Sequence, residues 1–256
     1  MKVHTYLPGE HLRPFIKSYL IIESKGGMKN NLVPDTSIVM AFRMRGQISY
    51  GTKEETGPLP FSVITGLRKS PRHVCYAAGS ATFLVKFTET GASAFLPLPV
   101  HELFGETVSL DNFTTREEIN RVENLLGEAG NRLQQIAVIE HFLLSLFHPP
   151  VHDVVIARAI EKIEHSKGLL PIRDLLKGLP LSRDPFEKRF RRLTGTSPKQ
   201  FASIVRMRNI LSGPPKDSLT AVAYTSGYFD QAHFIKDFRR FTGTTPTVFF
   251  RSGTYW

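Results

Sequence analysis

The chain has 256 residues, 41% of them hydrophobic and 22% charged, the make-up of a globular protein with one large or two ordinary domains. Its single cysteine, Cys75, excludes an intramolecular disulfide, and no run of eighteen apolar residues offers a membrane span. The net charge of +10 is unevenly placed: residues 151–256 hold 18 Lys and Arg against 9 Asp and Glu, residues 1–150 hold 15 against 14, and a polyanion such as nucleic acid is the expected partner of the second part.

In chain order, residues 1–110 read as β-rich. Short β-branched and aromatic runs at 37–44, 62–64 and 81–87 alternate with Gly and Pro turn signals, which suggests a sandwich or barrel. The start, MKVHTYLPGEHLRPF, has no apolar signal core, and a reducing cytoplasm suits the lone thiol. The stretch 92–104 is at best a broken helix, because Pro97 and Pro99 interrupt it. From 114 to 147 the period changes to helical. Thr115 to Glu118 makes a capping-box pattern ahead of Ile119, Val122 and Leu126, and a second stripe of Leu133, Ile136, Leu143 and Phe147 follows Gly130. This helical pair serves either packing within the domain or a dimer interface.

His148-Pro149-Pro150 breaks the pattern, so residues 1–147 are expected to form one domain, 148–152 a linker and 153–256 a second domain. Asp153 is a plausible N-cap for the next helix. A thirteen-residue phrase then occurs twice, RFRRLTGTSPKQF at 189–201 and DFRRFTGTTPTVF at 237–249, with eight identical positions at an offset of 48. Each copy ends a helix-turn-helix. In the first motif, 171–195, Gly178-Leu179-Pro180 turns the chain and Ser182 caps a second helix whose Phe186, Phe190 and Leu193 face inward. In the second motif, 218–243, Gly227 turns and Asp230 caps, with Phe234, Phe238 and Phe241 inward. Gly195 and Gly243 sit where a C′ glycine belongs, Ser197-Pro198 and Thr245-Pro246 restart the chain, and 198–212 reads as a connecting helix.

The second helix of such a motif lies in the DNA major groove with its N-terminal residues at base edges. The candidate base contacts are therefore Arg183, Asp184, Glu187 and Lys188 in the first helix and Gln231, Ala232, Ile235 and Lys236 in the second. Arg191, Arg192, Lys199, Arg206, Arg239 and Arg240 are candidate phosphate contacts, which position the protein without reading sequence. His233 is expected to pack locally rather than to bind.

These motifs resemble those of the AraC/XylS family of bacterial transcription regulators. The likeness is fullest over Gly227-Tyr-Phe-Asp-Gln-Ala-His-Phe to Thr244-Thr-Pro246, and good from Leu181-Ser-Arg-Asp-Pro-Phe to Gly195-Thr-Ser-Pro198, covering about 171–251. Leu176, Pro180 and Pro185 depart from the family pattern in the first motif, and Gly213-Pro-Pro215 shortens the connecting helix. Phe15-Ile-Lys-Ser-Tyr19, Pro34-Asp35 and Phe87-Thr-Glu-Thr-Gly91-Ala are more loosely similar to the sensor half of a subgroup of these regulators. The resemblance implies an α+β architecture: a β-rich, cupin-like barrel and two helices, then an all-α domain of two helix-turn-helix motifs. It implies sequence-specific binding of double-stranded DNA, with a small-molecule effector, a homodimer and RNA polymerase as further expected partners. No HExxH pair, phosphate loop or GxSxG elbow is present, so no cofactor, metal or catalytic residue is expected. A catalytic or metal-binding barrel fused to a DNA-binding module is the alternative, and a nonspecific DNA-coating protein a third.

Overall fold

A computed structural model describes residues 1–52, 55–149, 153–212 and 218–252. The first part of the chain is β-rich. Its strands are β1 (Lys2–Tyr6), β2 (Ile16–Ser24), β3 (Met28–Leu32), β4 (Val39–Arg45), β5 (Ile48–Gly51), β6 (Thr56–Pro58), β7 (Ser62–Thr65), β8 (Arg72–Tyr76), β9 (Ser80–Phe87) and β10 (Thr107–Ser109). They form two antiparallel sheets, one of six strands in the order β1-β2-β9-β4-β7-β10 and one of four in the order β3-β8-β5-β6. The expected barrel is corrected on one point: among the described residues the two sheets are not joined by a strand pair, so no closed barrel forms. A register shift at Arg43/Arg45 and the left-handed Gly46 (φ 72°) turn the chain out of the large sheet, and β5 then pairs with β8 instead of extending the β4–β9 ladder. Glycine is needed at 46, since a Cβ there would lie 2.8 Å from the Ser80 Cα.

The large sheet is apolar on both faces. Tyr19, Ile21, Met40, Phe42, Phe83 and Val85 are fully buried, and Phe42 meets Phe142 edge to face. That face packs on the helices α1 (Arg116–Glu128) and α2 (Arg132–Leu146). The residues of opposite parity, among them Leu20, Ile22, Val39, Ala41 and Leu84, look toward the small sheet. Strand residues on both parities are thus apolar, which is why the sequence shows runs rather than clean alternation. As expected, 92–104 holds no long helix, only two short 3-10 turns, Gly91–Ala94 and Val100–Leu103. Thr115 caps α1 by accepting from the Glu118 N–H at 3.2 Å.

Of the expected linker 148–152, residues 150–152 lie outside the described residues, as does the 213–215 Gly-Pro run. The second part is helical: α3 (Val154–His165), α4 (Ile172–Leu175), α5 (Arg183–Thr194), α6 (Pro198–Leu211), α7 (Leu219–Thr225), α8 (Gln231–Thr242) and α9 (Pro246–Ser252). Asp153 caps α3 as expected, accepting from the Ile156 N–H at 3.2 Å. Phe186, Phe190, Phe201, Phe234 and Phe238 are wholly buried and stack in edge-on or tilted pairs along the domain core.

Candidate nucleic-acid interface

The repeated phrase builds the same corner twice. At the end of α5, Gly195 takes a left-handed conformation (φ 83°) and returns its N–H to the Arg191 carbonyl at 2.9 Å. At the end of α8, Gly243 (φ 82°) does the same to Arg239 at 2.8 Å. The repeated threonine before each glycine staples the corner. Thr194 Oγ1 donates to the Phe190 carbonyl at 2.8 Å and accepts from the Thr196 N–H; Thr242 Oγ1 donates to Phe238 at 2.9 Å and accepts from the Thr244 N–H. Both threonines are fully buried, so their identity in the two copies is scaffold. Sequence reasoning left this role unassigned, although the repeat itself carried the signal.

The starts of the two helices differ. Asp230 accepts from the His233 N–H at 2.7 Å and caps α8. Ser182 stands at the cap position of α5 but its side chain makes no capping hydrogen bond. The expectation that Ser182 caps is therefore corrected, and the reason lies three residues on. The donor at that position would be the N–H of residue 185, which is Pro185 and has none.

With the aromatic residues inward, the candidate base contacts fall on the open side. In α5, Arg183, Asp184 and Lys188 are exposed and Glu187 is half-buried. Arg183 Nε and Glu187 Oε1 pair at 3.0 Å, one turn apart. The carboxylate is thereby engaged by the guanidinium. In α8, Ala232 and Lys236 are exposed, and Gln231 and Ile235 half-buried. Thr220 of α7 donates to Gln231 Oε1 at 2.7 Å, which occupies the amide's acceptor and leaves its NH2 group as donor. Thr220 was missed in the sequence because it lies eleven residues away on another helix. His233 sits edge-on to Tyr228 at 5.3 Å, a local packing contact.

Five of the six candidate phosphate contacts, Arg191, Arg192, Lys199, Arg239 and Arg240, are exposed. Arg206 is placed differently. Its guanidinium donates to the Gly168 carbonyl at 3.2 Å and lies over the Tyr228 ring at 5.5 Å, so its charge is used inside the domain. The Tyr228 hydroxyl in turn donates to Asp237 at 2.9 Å, and burial and this carboxylate push its pKa well above the ordinary tyrosine value. Arg189, inside the repeat, pairs with Asp153 at 2.7 Å and ties α5 to the cap of α3.

The outward faces of α5 and α8 stay exposed although the helical part sits against the β-rich one. Helix α5 packs on the 3-10 turns Gly91–Ala94 and Val100–Leu103. Asn31 Nδ2 donates to the Thr242 carbonyl at 2.8 Å. Arg208 of α6 reaches Thr36 Oγ1 at 2.9 Å, Asp35 at 3.5 Å and Glu164 at 2.6 Å. Among the described residues no group of three or more His, Cys, Asp or Glu is placed to hold a metal ion, and no helix is long and apolar enough to cross a membrane.

Comparison with known proteins separates the two halves. Residues 175–252 match a family model described as a helix-turn-helix domain, and residues 4–109 match one described as a domain of unknown function. The Msm operon regulatory protein of Streptococcus mutans is 33% identical over 155 residues, which cover 58% of this chain and 55% of that protein. The chain thus spans about half the length of the curated relative it matches. Among solved structures, ToxT from Vibrio cholerae O395 is 11% identical over 93% of this chain and 98% of its own, with a TM-score of 0.47. A probable AraC family transcriptional regulator from Rhodopseudomonas palustris CGA009 is 28% identical over 39% of this chain and 97% of its own, with a TM-score of 0.34.

Proposed function

We propose that this chain is a transcription regulator of the AraC type that binds double-stranded DNA sequence-specifically with α5 and α8 in adjacent major grooves, a reading supported by the helix-turn-helix match over residues 175–252 and by the 33% identity to an operon regulatory protein. The observation that carries the reading is one scaffold built twice on one connecting helix, with matching corners and different outward residues. Arg183, Asp184, Glu187 and Lys188 read one half-site; Gln231, Ala232, Ile235 and Lys236 read the other. Arg191, Arg192, Lys199, Arg239 and Arg240 grip phosphates. The N-terminal domain adjusts this binding through an effector or through self-association, and DNA-bound protein acts on RNA polymerase. Residues 1–147 and 153–256 are the two working units, in the cytoplasm.

The test is competition between promoter DNA recovered by binding-site selection and the same DNA scrambled, at one stated salt concentration. Specific binding is expected to be at least roughly 10³-fold tighter; equal affinity sinks the proposal in favour of nonspecific coating. Within the specific complex, Gln231→Ala should lower discrimination at one base position by roughly 1–3 kcal/mol and leave the salt dependence unchanged. Arg239→Ala should weaken all sequences alike and reduce the salt slope by about one.

A further inference from the structure

Among the described residues α7, α8 and α9 pack chiefly on one another. Side chains that reach them from the rest of the chain therefore set how the second motif is turned. One is Asn31, on the Thr242 carbonyl at the far end of α8. A larger group gathers at the start of α8, around Arg206 of the connecting helix α6.

Arg206 stands between the two motifs. Its Nη2 donates to the Gly168 carbonyl at 3.2 Å, and its Cζ lies 5.5 Å from the centre of the Tyr228 ring. Its Nε is buried without an acceptor among the described residues, so the carbonyl and the ring hold the head. Each of these contacts leads to one motif. Gly168 lies in the turn between α3 and α4, and this turn rests directly on α6: a Cβ at 168 would fall 2.2 Å from the Ala202 carbonyl oxygen. Helix α3 packs on α4 and α5, and Arg189 of α5 pairs with Asp153 at the cap of α3 at 2.7 Å. On the other side, the Tyr228 ring is buried and meets Phe234 of α8 edge-on at 5.3 Å. Its hydroxyl donates to Asp237 of α8 at 2.9 Å. Leu169 adds a second bridge, since its Cδ2 lies 3.1 Å from the place a Cβ would take at Gly227. A continuous chain of contacts thus runs from α5 through α3 and Arg206 to α8.

We propose that Arg206 is a positioning residue for two-site reading: it holds the second motif at one angle to the first, so that α5 and α8 meet their half-sites together. A planar guanidinium suits the task, because its edge serves a carbonyl while its face lies on a ring. Two joined binding modules gain affinity only where the joint lets both engage at once. The contact chain stands on geometry, and its consequence for DNA rests on the regulator reading above.

The experiment titrates the full chain with the selected promoter DNA and with copies in which one or the other half-site is scrambled, at several salt concentrations. Arg206→Met keeps the length of the side chain and removes its head. It is expected to lower affinity for the intact site roughly tenfold, with affinities for the half-scrambled copies within about twofold of the parent and an unchanged salt slope. A slope reduced by about one makes Arg206 a phosphate contact, and equal losses on every DNA make it merely structural. Either result, or no change at all, overturns the proposal. Spin labels on Lys188→Cys and Lys236→Cys, in a Cys75→Ser background, give a readout without DNA. One narrow distance is expected in the parent and a broadened one in Arg206→Met; an unchanged distribution overturns the proposal. Should Arg206→Met fail to fold, Tyr228→Phe decides: it keeps the ring under Arg206, releases Asp237 and is expected to broaden the same distance. Sequence-specific binding by a chain whose label distance and half-site affinities ignore Arg206 removes this inference alone. A distance that broadens in a chain unable to tell promoter from scrambled DNA removes the regulator reading alone.

Discussion

Gln231, a proposed base contact, illustrates how such a residue depends on a neighbour that reads nothing. Its amide is free to rotate in isolation, and rotation costs affinity when a single orientation must be selected at a base edge. The Thr220 hydroxyl, 2.7 Å from Gln231 Oε1, selects that orientation beforehand. Thr220→Val keeps the shape and removes the donor. We expect stability to change by no more than about 0.5 kcal/mol, while preference at the base position read by Gln231 falls roughly threefold to tenfold. Competition among the four bases at that position measures it; an unchanged preference means that Thr220 does not position Gln231. Arg206 gives the opposite lesson. It stood among the expected phosphate contacts, and only the fold brings Gly168 and Tyr228 to its head. Charge in a sequence reports a residue's type, and the contacts that use up the charge come from distant elements.

At the scale of elements, α5 and α8 share their ends and differ in their beginnings. The glycine corners, the inward phenylalanines and the Ser/Thr-Pro restarts were all legible, because each is a local pattern of a few residues with its own backbone requirement. The missing cap at Ser182 was legible too, in retrospect, from Pro185 three residues on. Asp230→Ala should therefore destabilise the helical domain by about 1 kcal/mol, whereas Ser182→Ala should stay within about 0.5 kcal/mol of the parent. Chemical denaturation of the two variants tests the contrast, and similar losses would mean that Ser182 caps after all. The arrangement of the strands was not legible to the same degree. With both parities apolar in the large sheet, no alternation tells which face meets the helices and which the second sheet, so the open edges of the sheets do not follow from local pattern. Lys86 consequently gave no sign of its place beside Asp35, which stood out only by resemblance.

For the whole molecule, the seam between the domains turns on Asp35. Burial works against its charge, but Lys86, the Thr36 N–H and Arg208 together hold its pKa below the usual aspartate value. A carboxylate with a depressed folded-state pKa contributes stability above its unfolded value, and the contribution is lost as pH falls through the folded value. The window accordingly lies below about pH 4. Asp35→Asn should cost roughly 1–2 kcal/mol at pH 7, and the gap between variant and parent should close on acidification below that window. Thermal unfolding at pH 7 and pH 3 measures this. A gap that persists unchanged at pH 3 would show that the loss comes from packing and not from charge.

The connecting helix sets a limit on the DNA as well as on the protein. Its 14 residues from Pro198 to Leu211 form one uninterrupted α-helix, a strut about 21 Å long, with the first motif joined to its start through the buried Thr194 corner. A strut of fixed length and fixed rotation does not track a moving target. If the two motifs read two half-sites, the operator has one permitted spacing. Five added base pairs would carry one half-site to the far side of the duplex, and ten would restore its face but place it about 34 Å too far along. Both insertions should reduce binding to that of a single half-site, an intolerance that a pair of motifs on a flexible tether would not share.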